Sequence, residues 1–218
     1  MNCIIIADKP YKGRKTKGWN GLAQVNKKET LVGNQLRVIS NKFPKSKIIY
    51  VYGFDAKKAS NYFHQLNKKN VVGIYNHEFD TLGEINSFRH VIEYLNQDCL
   101  ILTGNIVLKP SMFDNFTKSK NRSKIFINTK QENELGCVLN EEQNIQNICY
   151  GLENYLIGMY YISSADITLF KQIINNYLCR NHFLFETINK MIDQHVTFSP
   201  IISSRKIHSQ SIKDLQEQ

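Results

Sequence analysis

The sequence predicts an α/β fold: a mixed, mostly parallel sheet flanked by helices. Two observations carry this. Short runs of branched aliphatic residues alternate with amphipathic stretches from the start to about residue 116. Such alternation builds βαβ units. The runs are also continuously apolar, as in Ile4-Ile5-Ile6 and Leu100-Ile101-Leu102, and a strand covered on both faces reads that way. The chain has 218 residues, 42% of them hydrophobic, enough to bury a full core. With 22% charged residues, wholesale disorder is not expected.

The first strand is expected over 3–7. A loop at 8–21 follows, rich in glycine and cations: Lys9, Lys12, Gly13, Arg14, Lys15, Lys17, Gly18 and Gly21. Such a loop after a buried strand can wrap phosphates with backbone N–H groups and basic side chains. Residues 22–25 are apolar again. The stripe of Leu31, Gln35, Val38 and Ile39 predicts a helix over 31–43. A strand over 47–52 ends at Gly53, and Ala59, Tyr62, Phe63 and Leu66 predict a helix over 56–66. A strand over 71–75 is followed by a helix over 83–95, with Ile85, Phe88, Val91, Ile92 and Leu95 inward. The stretch 100–108 then reads as a buried strand interrupted by Gly104-Asn105. Ligands bind beyond the carboxyl ends of parallel strands, so Asn105 becomes a candidate site residue.

The second half is less regular. A basic turn is expected at 118–124, strands at 125–128, 136–139, 156–163 and 196–202, and helices at 164–178, 183–193 and 211–218. One domain over 1–218 is expected, with a nucleotide-binding half at 1–116 and an acceptor-side half at 117–218.

The net charge of +9 favours anionic ligands. No helix-turn-helix, zinc-finger or RNA-binding aromatic signature accompanies it, which argues against nucleic acid. Cys3, Cys99, Cys137, Cys149 and Cys179 form no CxxC pair, a spacing that suits neither zinc nor a disulfide framework. Reduced thiols in a cytoplasmic protein follow. No apolar run approaches the roughly 20 residues of a membrane span.

The order of elements resembles the GT-A-like nucleotidyltransferases, the group of sugar-1-phosphate nucleotidyltransferases and phosphocholine cytidylyltransferases. The resemblance rests on Ile4-Ile5-Ile6-Ala7 with Gly13 and Arg14 behind it, and on the segment from Leu22 to Leu36. It continues through Ile48 to Gly53, Tyr75-Asn76, Ile85-Asn86-Ser87-Phe88 and Thr103-Gly104-Asn105. Leu156 to Ser163, Phe185-Glu186 and Ser209 to Leu215 complete it.

It implies a Rossmann-like fold and transfer of a nucleoside monophosphate from an NTP to a phosphorylated small molecule. Catalytic roles then fall to Arg14 and Lys17. Nucleotide contacts fall to Ala7, Asp8, Gly13, Arg14, Asn76, Gly83 and Ser87, and acceptor contacts to Tyr160 and Glu186. Mg²⁺ would be held by two carboxylates, but those positions carry Asn105 and Gln210. Asp8 stands where the family has its first loop glycine, and the phosphate-binding lysine falls near Asn20, with Lys17 the nearest substitute. Two function classes are therefore expected. One is a nucleotidyltransferase using Mg²⁺, an NTP or nucleotide-sugar and a phosphorylated acceptor. The other is a degenerate member kept as a binding or assembly module, alone, as a homo-oligomer or in a larger particle.

Overall fold

The computed structural model describes residues 1–10, 18–116, 122–128 and 135–203. Strand β1 is Asn2–Ala7, and β2 (Gln24–Asn26) and β3 (Glu29–Thr30) form a small hairpin. Helix α1 (Leu31–Lys42) starts at Thr30, whose hydroxyl accepts the Gly33 N–H, an N-cap that satisfies one orphan donor. Then follow β4 (Lys47–Tyr52), α2 (Ala56–Gln65), β5 (Val71–Tyr75), α3 (Glu84–Arg89) and β6 (Cys99–Thr103). Beyond them are β7 (Ser123–Asn128), β8 (Leu135–Leu139), β9 (Ile145–Tyr150) and β10 (Asn154–Ile162). Helices α4 (Ile167–Asn175) and α5 (Leu184–Asp193) and strand β11 (Phe198–Ile202) complete the described chain.

Nine strands form one sheet in the order β5-β4-β1-β6-β10-β7-β11-β9-β8. The pairs among β5, β4, β1 and β6 are parallel, as is β7 with β11. Strand β10 runs antiparallel to both β6 and β7, which makes β7 parallel to β6. The sheet is thus mixed and mostly parallel on its β5–β6 side, as predicted.

Alternation along each strand feeds two cores. Ile4, Ile6, Ile49 and Val51 join Ile85, Phe88, Phe170 and Ile188 from α3, α4 and α5. Cys3, Ile5, Ile48 and Tyr50 join Val32, Leu36, Ile39 and Ala59 from α1 and α2. Helices therefore cover both faces, which explains the continuous apolar runs. All five cysteines are free thiols. Among the described residues no helix is long and apolar enough to cross a membrane.

Three expectations differ from the structure. The helix expected over 83–95 ends at Arg89 and resumes as a single 3₁₀ turn at Ile92–Tyr94. His90 and the β-branched Val91 occupy the break, Val91 outside the helical region at φ -122° and ψ 18°, and β-branched residues are poorer helix formers. Val91 and Leu95 are nonetheless fully buried, as the stripe required. The strand expected over 100–108 stops at Thr103; Gly104-Asn105 turn the chain, and 106–108 are buried outside the sheet. The helix expected over 164–178 is α4 followed by a separate 3₁₀ turn at Tyr177–Cys179. Strand β9 and the β2–β3 hairpin were not foreseen. The helix expected at 211–218 and most of the basic turn at 118–124 lie outside the described residues.

Candidate functional site

The carboxyl ends of β1 and β6 lie side by side, with Ile6 opposite Thr103. The Gly104 N–H donates to the Ile6 carbonyl at 2.7 Å. A Cβ at position 104 would sit 2.2 Å from the Ala7 Cβ and 2.6 Å from its Cα. Only glycine lets the two strand ends come so near. Gln35 of α1 braces the same turn, its Nε2 donating to the carbonyls of Gly104 at 3.1 Å and Ile106 at 2.9 Å. Its neighbour Asn34 accepts the Leu108 N–H at 2.8 Å. Consecutive side chains at the start of α1 thus hold the segment that carries Asn105.

An open cleft of about 660 Å³ lies over these strand ends. Ile6 to Pro10 after β1 and Thr103, Gly104 and Asn105 after β6 line it. Asn20, Glu84, Tyr150 and Phe183 complete the lining. This is where an open α/β sheet takes a ligand.

The charged groups in the lining differ in their freedom. Asp8 is buried, and one carboxylate oxygen accepts from Asn76 Nδ2 at 2.7 Å and from the Ser87 hydroxyl at 2.5 Å. Asn76 is itself fixed by its Oδ1, which accepts the Glu78 N–H at 2.9 Å. The Asp8 carboxylate is thereby tied into the protein. Lys9 is exposed, and its Nζ donates to the Leu82 carbonyl at 2.9 Å. Glu84 accepts the Leu184 N–H, at the start of α5, at 2.9 Å. Burial pushes the Glu84 carboxyl above its ordinary range, against the pull of the Leu184 N–H; the nearby Asp8 adds to the rise and Lys9 opposes it.

The opposite wall is aromatic. Tyr150 and Phe183 are exposed. Phe185 stands between them, edge-on to Tyr150 at 5.8 Å and stacked on Phe183 at 5.9 Å. Strand β9 supplies Tyr150, and the turn into α5 supplies Phe183.

Of the residues expected from sequence, Ala7, Asp8 and Asn105 line the cleft. So does Asn20, at the place expected for a phosphate-binding lysine. Asn76 and Ser87 sit behind the cleft as partners of Asp8 and do not line it. Gly83 packs against the backbone of Asn181, while its neighbour Glu84 faces the cleft. Tyr160 is buried in the core, where burial and then Glu84 push its hydroxyl far above the usual phenol range. Glu186 accepts the Phe183 N–H at 2.7 Å and so braces the first turn of α5. Neither Tyr160 nor Glu186 reaches the lining. Gly13, Arg14, Lys17 and Gln210 lie outside the described residues. Tyr150, Phe183 and Thr103 were missed; Tyr150 and Phe183 lie far along the chain in stretches with no motif of their own.

The Mg²⁺ that the resemblance implies does not fit the described residues. Asn105 offers a neutral amide oxygen where a hard dication prefers a carboxylate. Asp8 is already shared between Asn76 and Ser87, and Glu84 is held by a backbone N–H. Among the described residues no three His, Cys, Asp or Glu side chains gather as a metal site.

No family model and no curated protein sequence matches the chain. Solved structures do. One is the CTP:phosphocholine cytidylyltransferase LicC from Streptococcus pneumoniae, with a TM-score of 0.79 at 16% identity, covering 99% of this chain and 96% of that one. Another is the inositol-1-phosphate CTP transferase from T. maritima, with 0.73 at 13% identity and coverage of 99% and 96%. A putative glucose-1-phosphate thymidylyltransferase from Bacillus anthracis gives 0.75 at 12% identity and coverage of 94% and 87%. Over nearly its whole length, and at low sequence identity, the chain has the Rossmann-like fold of the sugar-phosphate and phosphocholine nucleotidyltransferases.

Proposed function

We propose that the protein takes a nucleoside triphosphate across the ends of β1 and β6 and transfers its nucleoside monophosphate to a phosphorylated small molecule. A phosphate oxygen of the acceptor attacks the α-phosphorus, the bond to the bridging oxygen breaks, and pyrophosphate leaves with the electron pair. The observation that carries this reading is the cleft itself. It lies at the ligand end of a parallel sheet, with the cationic Lys9 and the amides of Asn20 and Asn105 in its lining and the Asp8 carboxylate occupied elsewhere. Lys9 balances phosphate charge, and the sequence adds Arg14 and Lys17 in the loop that follows.

The Tyr150 and Phe183 rings, with Glu84 in the same cleft, favour an acceptor with a cationic head over a polyhydroxylated sugar. A quaternary ammonium gains most over an aromatic face beside a carboxylate. Phosphocholine is the example. The chain works as one unit over 1–218.

Asn105 favours a second reading, a binding module that keeps the nucleotide, or a nucleotide-sugar, without turning it over. Thermal shifts with each NTP, with and without Mg²⁺, test both, together with pyrophosphate release in the presence of phosphocholine or a sugar-1-phosphate. Pyrophosphate release with one acceptor supports the transferase. Stabilisation without release supports the module. No shift with any nucleotide overturns both.

A further inference from the structure

We infer that Gln35 is a positioning residue for Asn105, acting from outside the cleft through the backbone on either side of it. Its functional part rests on the proposed nucleotide site; its geometric part does not. The Gln35 amide nitrogen donates to the carbonyls of residues 104 and 106, so residue 105 is bracketed by two bonds from a single group. The orientation of the amide is settled by the same contacts. Turned over, its oxygen would face two carbonyl oxygens.

The other end of the side chain supplies the second observation. Gln35 is fully buried, and its Oε1 has no hydrogen-bond partner among the described residues. A buried acceptor left unpaired is costly, and an apolar residue of the same length would avoid the cost. An apolar residue would, however, leave two carbonyls of the turn without a donor. The chain thus tolerates one unpaired atom inside α1 to fix two at the strand end. Below the turn the Gly104 N–H is held by Ile6, and above it the Leu108 N–H is held by Asn34. Among the described residues Gln35 spans residue 105 itself, and Asn105 lines the cleft.

Gln35→Met removes both donors while keeping length and volume. In isotope-labelled full-length protein, the side-chain amide signals of Asn105, assigned by their loss in Asn105→Ala, shift and broaden in Gln35→Met. Unmoved signals in a folded variant overturn the inference. If Gln35→Met does not fold, Gln35→Glu replaces it. Its neutral carboxyl donates one hydrogen bond, whereas its ionised form repels both carbonyls, so the Asn105 signals approach those of the parent as pH is lowered. Signals indifferent to pH overturn the inference. A double-mutant cycle with CTP as probe reads the functional part. Gln35→Met weakens CTP binding at least about fivefold in the parent and less than about twofold in an Asn105→Ala background. Equal losses in both backgrounds assign Gln35 to the fold alone and overturn the inference. If the parent binds no NTP, the proposed function fails, and the amide spectra alone decide the positioning role.

Discussion

Two neighbouring strand ends each carry a kind of residue other than the one the resemblance implies for them. At the end of β1 an acid, Asp8, stands where a glycine is implied. At the end of β6 an amide, Asn105, stands where an acid is implied. The structure treats the two differently. Asp8 lines the cleft too, but Asn76 and Ser87 behind it hold one oxygen of its carboxylate. Asn105 remains in the lining, on a turn braced by Gln35. At these two strand ends the carboxylate is held by partners within the protein, and the residue on the braced turn is a neutral amide. A residue's type at a strand end does not state its role; its partners do.

Four substitutions test this contrast. Asp8→Ala takes away the acceptor shared by the buried Ser87 hydroxyl and Asn76 amide, leaving Asn76 only its bond to the Ser87 oxygen at 3.3 Å. Hydrogen bonds to a charged group are each worth more than neutral ones, so the loss is about 3 kcal/mol, read by chemical denaturation. A cost near zero would mean that the Asp8 network carries no stability. Gly104→Ala drives a methyl into Ala7 and should cost about 2 kcal/mol by the same measurement. An unchanged midpoint would show that β1 and β6 can part without penalty.

Asn105→Asp restores the acid at β6. It should give NTP binding that strengthens roughly tenfold on adding Mg²⁺, by titration calorimetry. If the parent already responds to Mg²⁺ as strongly, residue 105 does not decide metal use. Lys9→Met is the mildest. Its bond to Leu82 is exposed, so stability stays within about 0.5 kcal/mol. NTP affinity falls about fivefold at low salt and less at high salt, because screening weakens an exposed charge. Equal affinity at both salt concentrations would remove Lys9 from the phosphate site.

The parallel side of the sheet was legible because both its faces are covered by helices. Strands over 47–52 and 71–75 appear at the residues expected, since runs such as Ile48 to Tyr52 leave no alternative pattern. Strand β9 was not legible. It lies toward the edge of the sheet, and Gln146 and Asn147 face outward in its middle, so no apolar run marks it. The cleft divides in the same way. Ala7, Asp8 and Asn105 follow apolar strands and could be placed from sequence. Tyr150 and Phe183 meet them only through tertiary packing, and nothing local to either residue announces it. That Asp8 would point inward was also hidden, because its partners lie 68 and 79 residues away.

Strand β10 has a consequence for how the chain can be divided. It returns antiparallel between β6 and β7, pairing with Cys99 to Leu102 on one side and with β7 on the other. The stretch up to residue 116 is contiguous in sequence, yet its last strand in the sheet, β6, has its second pairing partner in residues 159–162. Cut from the rest, that stretch would present the unpaired edge of a largely apolar strand, the kind that recruits a second chain. The two halves are therefore complements that must be made together, and a fragment of the first would seek in its neighbours the strand it lacks.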